Sequence, residues 1–232
     1  MLPVMLRPAT ALAAFCLGLL GVAAAIGLQP SPPAALNAAI AVTAAARAPY
    51  AFDMDIQSSK ISWRTHYDPR ATPHLQLVQP TRASLSNDQR RAFDDAAHRM
   101  EGVSWCASAE MGHIASVQLL REDADAATYA FQPTRDSIRS EQARGFADHL
   151  RGELTLTKTS PDIAHIHIYA PAPFSPALLV NLTRIDIAIT CAPAPNNRRF
   201  AAETVTEIAG SALGQAFSER SVQRTHDLAP AP

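Results

Sequence analysis

The chain has 232 residues, of which 47% are hydrophobic and 18% are charged, and its formal net charge is −1 at pH 7. This composition predicts one folded domain with a hydrophobic core once an N-terminal leader is set aside. Basic residues form no run and do not interleave with aromatic residues, so the composition disfavours nucleic-acid binding.

The N-terminus has the layout of a secretory signal peptide. Residues 1–8 carry Arg7, residues 9–28 are apolar and uncharged, and the alanines at 23–25 provide small residues for cleavage. We interpret residues 1–25 as a signal peptide and expect a periplasmic or secreted protein. The alternative is an uncleaved anchor in the inner membrane, because about 20 apolar residues are long enough to span a bilayer.

The rest of the chain divides into a linker, a domain and a tail. Residues 26–48 are rich in Ala and Pro and almost uncharged, so we expect a disordered linker there. A weak helix from Ala34 to Ala46 is the alternative for this segment. Residues 49–228 are predicted to form a single α+β domain, and residues 229–232 a disordered tail.

Alternation of apolar and polar residues with a period of two predicts a series of β-strands. The predicted strands are Tyr50 to Ile56, Ile61 to Tyr67, Leu75 to Gln79, Val103 to Ala107, Ala115 to Leu119, Tyr129 to Phe131, Leu154 to Leu156 and Ile166 to Ile168. Trp63 and Trp105 fall on apolar faces of these strands and are predicted to be core residues.

The strongest strand pattern lies between Val180 and Gly210, where we predict an antiparallel hairpin. Matching the more apolar faces of its two strands places Cys191 opposite Phe200. The same register sets Arg184 opposite Glu207, as a favourable cross-strand pair. The parity of the apolar positions changes before Ile185, which predicts a β-bulge near Thr183.

Three segments show helical patterns. Ser86, with Gln89 three residues later, matches a capping box and predicts a helix near 87–101. The spacing of apolar residues predicts a second helix from Ser137 to Arg151 and a third after Gly210.

These elements predict an α+β fold, with one curved, largely antiparallel β-sheet and two or three helices packed on one face. The order of strands and helices resembles that of periplasmic lipoprotein carriers, with which the chain shares no residue motif. The resemblance implies a sheet that cups a lipid or another apolar ligand.

Cys106 and Cys191 are the two cysteines outside the predicted leader. An even number of cysteines in an oxidising compartment allows a disulfide between them. The alternative is two separately buried thiols, because free cysteine is often a small core residue.

His165 and His167 are candidate metal ligands, because two histidines two residues apart on a strand point to the same face. Imidazoles in this geometry can bind zinc or another borderline metal. A third ligand is required, for which Asp162, His113 and His149 are candidates. The alternative is an ordinary polar strand face exposed to solvent.

Other candidates for chemistry lack a complete motif. Ser211 follows Gly210 but lacks the second glycine of a nucleophile elbow. Asp53 and Asp55 share a strand face, as residues on a solvent face also do. The acidic segment 122–125 lacks the glycine and the terminal glutamate of a calcium loop. Phosphate-binding and dinucleotide-binding fingerprints are absent from the sequence, and we expect no cofactor.

The sequence therefore favours a non-enzymatic binding or assembly module of the cell envelope. Its expected partner is a small apolar or lipid ligand or an envelope protein, with membrane contact only through an uncleaved N-terminal segment. The alternative is an exported hydrolase, either metal-dependent through His165 and His167 or serine-based.

Overall fold

A computed structural model describes residues 33–46 and 48–231, so the predicted signal peptide lies outside the described residues. The strands are β1 (Tyr50–Ser58), β2 (Ser62–Tyr67), β3 (Leu75–Gln79), β4 (Ala115–Glu122), β5 (Ala126–Gln132), β6 (Arg151–Thr157), β7 (Ile163–Tyr169), β8 (Phe174–Ala177), β9 (Val180–Pro193), β10 (Arg199–Ala212) and β11 (Gln215–Pro230). The helices are α1 (Ala34–Ala45), α2 (Asn87–Arg99) and the one-turn α3 (Glu141–Arg144), and short 3₁₀ segments lie at Arg82–Ser84, Ala109–His113, Arg135–Ser137 and Ala147–His149.

All eleven strands belong to one antiparallel sheet, which confirms the α+β class and the antiparallel pairing. Ten of them follow the order β3-β2-β1-β11-β10-β9-β7-β6-β5-β4, and β8 pairs with β9. The first and the last strand are therefore neighbours inside the sheet, third and fourth from the edge formed by β3. No helix in the described ranges has both the length and the apolar character needed to cross a bilayer.

Residues 26–32, 47 and 232 of the segments expected as linker and tail lie outside the described residues, and the described parts of both segments contribute to this structure. Helix α1 occupies most of the alternative range 34–46, and its Leu36 and Ala39 are buried in a cluster with residues of β6 and β7. At the other end, Pro230 is paired with Tyr50 across β11 and β1. Residues 34–45 thus form a packed helix and residues 229–230 the paired end of a strand, where disorder is predicted.

Helix α2 confirms the predicted capping box. The Ser86 hydroxyl accepts a hydrogen bond from the Gln89 backbone N–H, and the Gln89 side-chain oxygen accepts one from the Ser86 backbone N–H. Its Phe93 lies edge-on to Trp63, with ring centroids 5.6 Å apart, in a buried cluster that also contains Phe52 and other side chains of β1 and β2. Trp63 and Trp105 are both buried, as predicted.

Two predicted helices are wrong. The segment 137–151 forms only the single turn of α3 and a 3₁₀ segment before β6 begins at Arg151. The residues after Gly210 continue β10 and then form β11, the longest strand. In both segments the apolar residues have helical spacing. Between 137 and 150, separate short turns satisfy the backbone, and after Gly210 it is satisfied by pairing with neighbouring strands.

The hairpin of β9 and β10 is confirmed, and so is the bulge at Thr183, which is skipped between the pairs Arg184–Ala209 and Leu182–Gly210. The predicted register is wrong, because Phe200 lies opposite Ala192 and Cys191 lies opposite Ala201.

The register differs because β9 continues through Pro193, which pairs with Arg199, and because a second bulge at Ala202 shifts the pairing. Glu207 consequently lies opposite Asp186. Arg184 nevertheless reaches Glu207 diagonally, with 2.7 Å between its guanidinium nitrogen and the carboxylate.

A disulfide joins Cys106 to Cys191, the first of the two alternatives that the sequence allows, with an S–S distance of 2.06 Å. Cys106 lies in an irregular segment where a strand is predicted from Val103 to Ala107. Only Trp105 of that segment forms a bridge, with Phe200. The disulfide therefore fastens the loop that follows α2 to the long strand β9.

A buried ion pair joins three distant parts of the chain. The Arg198 guanidinium lies 3.0 Å from Asp162 Oδ2, and the two side chains are only 7% and 3% exposed. Arg198 also donates to Thr43 Oγ1 at 3.0 Å and to the Ala39 carbonyl at 3.2 Å. Helix α1, the start of β7 and the β9–β10 turn are thus connected through one guanidinium.

Candidate functional site

A cleft of about 630 Å³ lies between the C-terminal end of α2, the loop that follows it and the middle of the sheet. It is larger than two other clefts in the described structure, of about 450 and 340 Å³. Ligand sites in proteins are concave, and clefts of several hundred Å³ are typical of them. The size and place of this cleft therefore make it a candidate ligand site.

Aromatic pairs position the polar groups of the cleft. Tyr67 stacks on Phe52 across β2 and β1, with ring centroids 4.8 Å apart. Tyr50 contacts Trp105 edge-on at 5.7 Å, which couples the start of β1 to the loop after α2. Gly102 turns this loop with a φ of +119°, and a Cβ there would lie 3.7 Å from the Tyr67 hydroxyl.

Several polar side chains that line the cleft form no hydrogen bond or ion pair within the protein. Among the described residues, six that line it make no side-chain hydrogen bond or ion pair: Tyr50, Tyr67, Arg99, Glu101, Ser104 and Gln223. Arginines elsewhere on the surface, such as Arg82 and Arg224, each contact a carboxylate. Unpartnered polar groups that converge on one concavity are available to a ligand.

The charges of the cleft are of both signs. Arg99 and Glu101 lie two residues apart at the end of α2, and both are exposed to the cleft. Burial raises the pKa of the Tyr67 hydroxyl, and the Glu101 carboxylate raises it further. Tyr67 therefore remains protonated at neutral pH and can donate a hydrogen bond.

Arg139 closes one side of the cleft through a two-point contact with Glu110. Its Nε donates to Glu110 Oε1 at 2.8 Å and a terminal nitrogen donates to Oε2 at 3.2 Å. Such two-point pairs are geometrically specific, so the Arg139 guanidinium is held in place by Glu110. The Arg99 guanidinium has no such partner and is available to bind a ligand.

We expect the Glu110–Arg139 pair to make the free energy of unfolding depend on pH in the acid range. The hydrogen bond from Arg139 lowers the pKa of Glu110 to about 2, from 4.5. A carboxyl group with a lower pKa in the folded state stabilises the fold above its unfolded pKa, and this stabilisation is lost as the pH falls towards 2. Because the pair is partly exposed, we expect this stabilisation to be about 1 kcal/mol.

Urea unfolding of the wild type and Glu110→Gln at about pH 6 and pH 2.5 tests this pair. The difference in unfolding free energy should shrink at the lower pH. A difference that does not change with pH would contradict the assignment.

The structure places the candidate metal ligands His165 and His167 on β7. His165 is exposed, whereas His167 Nε2 lies 3.1 Å from Asp186 Oδ1 and its ring stacks on Tyr169. No three-ligand group of His, Cys, Asp or Glu among the described residues includes either histidine. The metal site at His165 and His167 stays a prediction.

The three candidate third ligands have other surroundings. Asp162 is held in the buried pair with Arg198. His149 stacks on Phe174 with ring centroids 4.2 Å apart, and His113 ends a 3₁₀ segment. Asp162 and His149 are therefore engaged by other side chains.

Other sequence candidates occupy ordinary positions. Ser211 lies near the end of β10, opposite Asn181. Asp123 accepts hydrogen bonds from the backbone of Asp125 and Ala126, both at 2.8 Å, and so shapes the β4–β5 turn. Asp53 and Asp55 do share the polar face of β1.

Sequence reasoning missed the cleft because it is assembled from residues more than 170 positions apart, such as Tyr50 and Gln223. Tyr67 and Trp105 are predicted only as strand or core residues. Gly102 is the one local indication, since it marks a sharp turn directly after α2. No protein-family model, curated protein or solved structure matches the chain.

Proposed function

We propose that the protein is an exported, non-enzymatic binding module that holds a small polar ligand in the cleft between α2 and the sheet. The observation that carries this proposal is the set of unpartnered side chains in the cleft. In this proposal the sheet is curved and its helices share one face, so that the cleft is the open part of that face.

Export is supported by two features. The pattern of residues 1–25 is typical of a signal peptide. The buried Cys106–Cys191 disulfide suits an oxidising compartment such as the periplasm.

The chemistry of the walls favours a ligand with an anionic group. Arg99 offers an unpaired guanidinium, which recognises carboxylates and phosphates through paired hydrogen bonds. The Tyr67 hydroxyl and the Gln223 amide can bind further polar groups, and the Trp105 ring supplies an apolar wall. A small organic carboxylate or phosphate fits this combination better than a purely apolar molecule.

Binding is favoured over catalysis by the same residues. Among the described residues that line the cleft there is no His, Cys or Asp, and Glu101 is the single carboxylate. A hydrolase site needs a nucleophile or an activated water together with an acid–base partner. In the cleft the Ser104 hydroxyl makes no hydrogen bond to Glu101 or to another side chain, so the hydrolase alternative gains no support from it.

A thermal-shift screen against aliphatic and aromatic carboxylates and phosphates tests the proposal. A ligand that binds the folded state raises the midpoint of unfolding. For the best ligand we expect Arg99→Ala to weaken binding at least tenfold, because a charge-assisted hydrogen bond is lost.

Arg91→Ala is the matched control, since Arg91 lies on the same helix and contacts Asp88 outside the cleft. It should bind the ligand like the wild type. Equal weakening by both substitutions, or no stabilising compound in the panel, would refute the proposed site.

A further inference from the structure

The strongest group of potential metal ligands lies on the sheet face opposite α2. Side chains alternate along β1, so that Met54 packs under α2 while Asp53 points to the other face. There, one ligand atom each from Asp53, His226 and Asp227 lie within 4.8 Å of one another. None of these residues lines the cleft, so this group is separate from the site proposed above.

A β-bulge explains how two consecutive residues of β11 come to the same place. Ala51 pairs with Ala229 and Asp53 pairs with His226, so that Asp227 and Leu228 together face the single residue Phe52. Asp227 has a φ of +54°, in the left-handed region that Asp adopts more readily than most residues. Bulges re-aim side chains, and this one brings Asp227 beside His226.

Within the group, His226 Nδ1 lies 2.7 Å from Asp227 Oδ2, and two further polar residues adjoin the three. His66 Nδ1 lies 2.7 Å from Asp53 Oδ1, and Asp55 Oδ2 lies 3.4 Å from His226 Nε2. Metal ligands in proteins are usually oriented by such outer contacts between histidine and carboxylate. Neighbouring strands β2, β1 and β11 hold all of these residues in a fixed register.

We propose that Asp53, His226 and Asp227 form a site for a divalent transition-metal ion. One imidazole and two carboxylates suit Zn²⁺, Fe²⁺ or Mn²⁺, whereas Ca²⁺ and Mg²⁺ prefer oxygen ligands alone. All three residues are at least partly exposed, so an ion can enter from solvent and complete its coordination with water. His66 acts as a positioning residue through the Asp53 carboxylate.

Calorimetric titration of the full chain with Zn²⁺ tests the site, using protein purified without a polyhistidine tag. The wild type should bind one Zn²⁺ per chain at this site. Asp227→Asn should weaken binding at least tenfold, because it removes one anionic ligand. Asn tolerates the left-handed conformation as Asp does, so this variant keeps the bulge. His226→Ala should reduce the affinity further.

The matched control is the double variant His165→Ala/His167→Ala, which removes both histidines of β7 and should leave Zn²⁺ binding by His226 unchanged. Thermal unfolding of each variant confirms that it is folded. The proposal is overturned if the wild type binds no Zn²⁺, if Asp227→Asn binds like the wild type, or if only the double variant loses binding. The cleft proposal is unaffected by each of these results, because its test uses Arg99.

Discussion

Removing the disulfide in a Cys106→Ala/Cys191→Ala variant is expected to lower the free energy of unfolding by about 4 kcal/mol. The two cysteines are 85 residues apart, so the bond restricts a long segment of the unfolded chain. Both residues are also buried, and their replacement removes packed side-chain atoms from the core. Urea unfolding monitored by tryptophan fluorescence measures the change.

Reduction of the wild type provides the control, since it opens the bond without changing the sequence. A comparable loss of stability is expected in the reduced wild type. If the double variant and the oxidised wild type unfold at the same urea concentration with the same slope, the disulfide contributes nothing and the expectation fails.

Replacing Arg198 by Ala is expected to cost about 3–5 kcal/mol, because it leaves the buried Asp162 carboxylate without its cationic partner. Asp162 is 2% exposed and also accepts hydrogen bonds from the backbone of Ile163 and Arg199, both at 2.8 Å. The lost contacts of the guanidinium with α1 add to the effect. The free energy of unfolding again measures the change.

Arg220→Ala is the matched control, because Arg220 forms an exposed ion pair with Glu207 at 3.3 Å. Such pairs contribute about 0–1 kcal/mol. The double variant Arg198→Met/Asp162→Asn should lose less unfolding free energy than the two single variants together, since no uncompensated charge remains buried. A cost for Arg198→Ala as small as that for Arg220→Ala would show that the pair does not hold α1 on the sheet.

Strands with one apolar and one polar face could be predicted from the sequence, because burial of one face imposes a period of two. This holds for β1, where Phe52 and Met54 are buried and Asp53 and Asp55 are not. It fails for β11, whose burial is confined to Val222 and Thr225, so that no apolar stripe marks it as a strand. Its place between β1 and β10 is determined by backbone pairing with both neighbours.

The candidate sites also differ in whether the sequence could predict them. The Cys106–Cys191 pair could be proposed from residue type and number alone. The cleft could not, because Tyr50, Arg99 and Gln223 meet only after the sheet has formed. The group at His226 depends on a bulge that sets one residue out of alternation, and strand periodicity cannot foresee such a position.

The pairing of β1 with β11 has a consequence for how the chain folds. Residues such as Ser58 and Ser221 must meet across most of the sequence before the middle of the sheet exists. Contacts between distant residues slow folding, because chain entropy is lost before they form. The successive hairpins of β9, β10 and β11 need only local turns and can form early. The strands β1–β3, together with α2, are then expected to join last, so that the cleft and the His226 group are completed in the final step of folding.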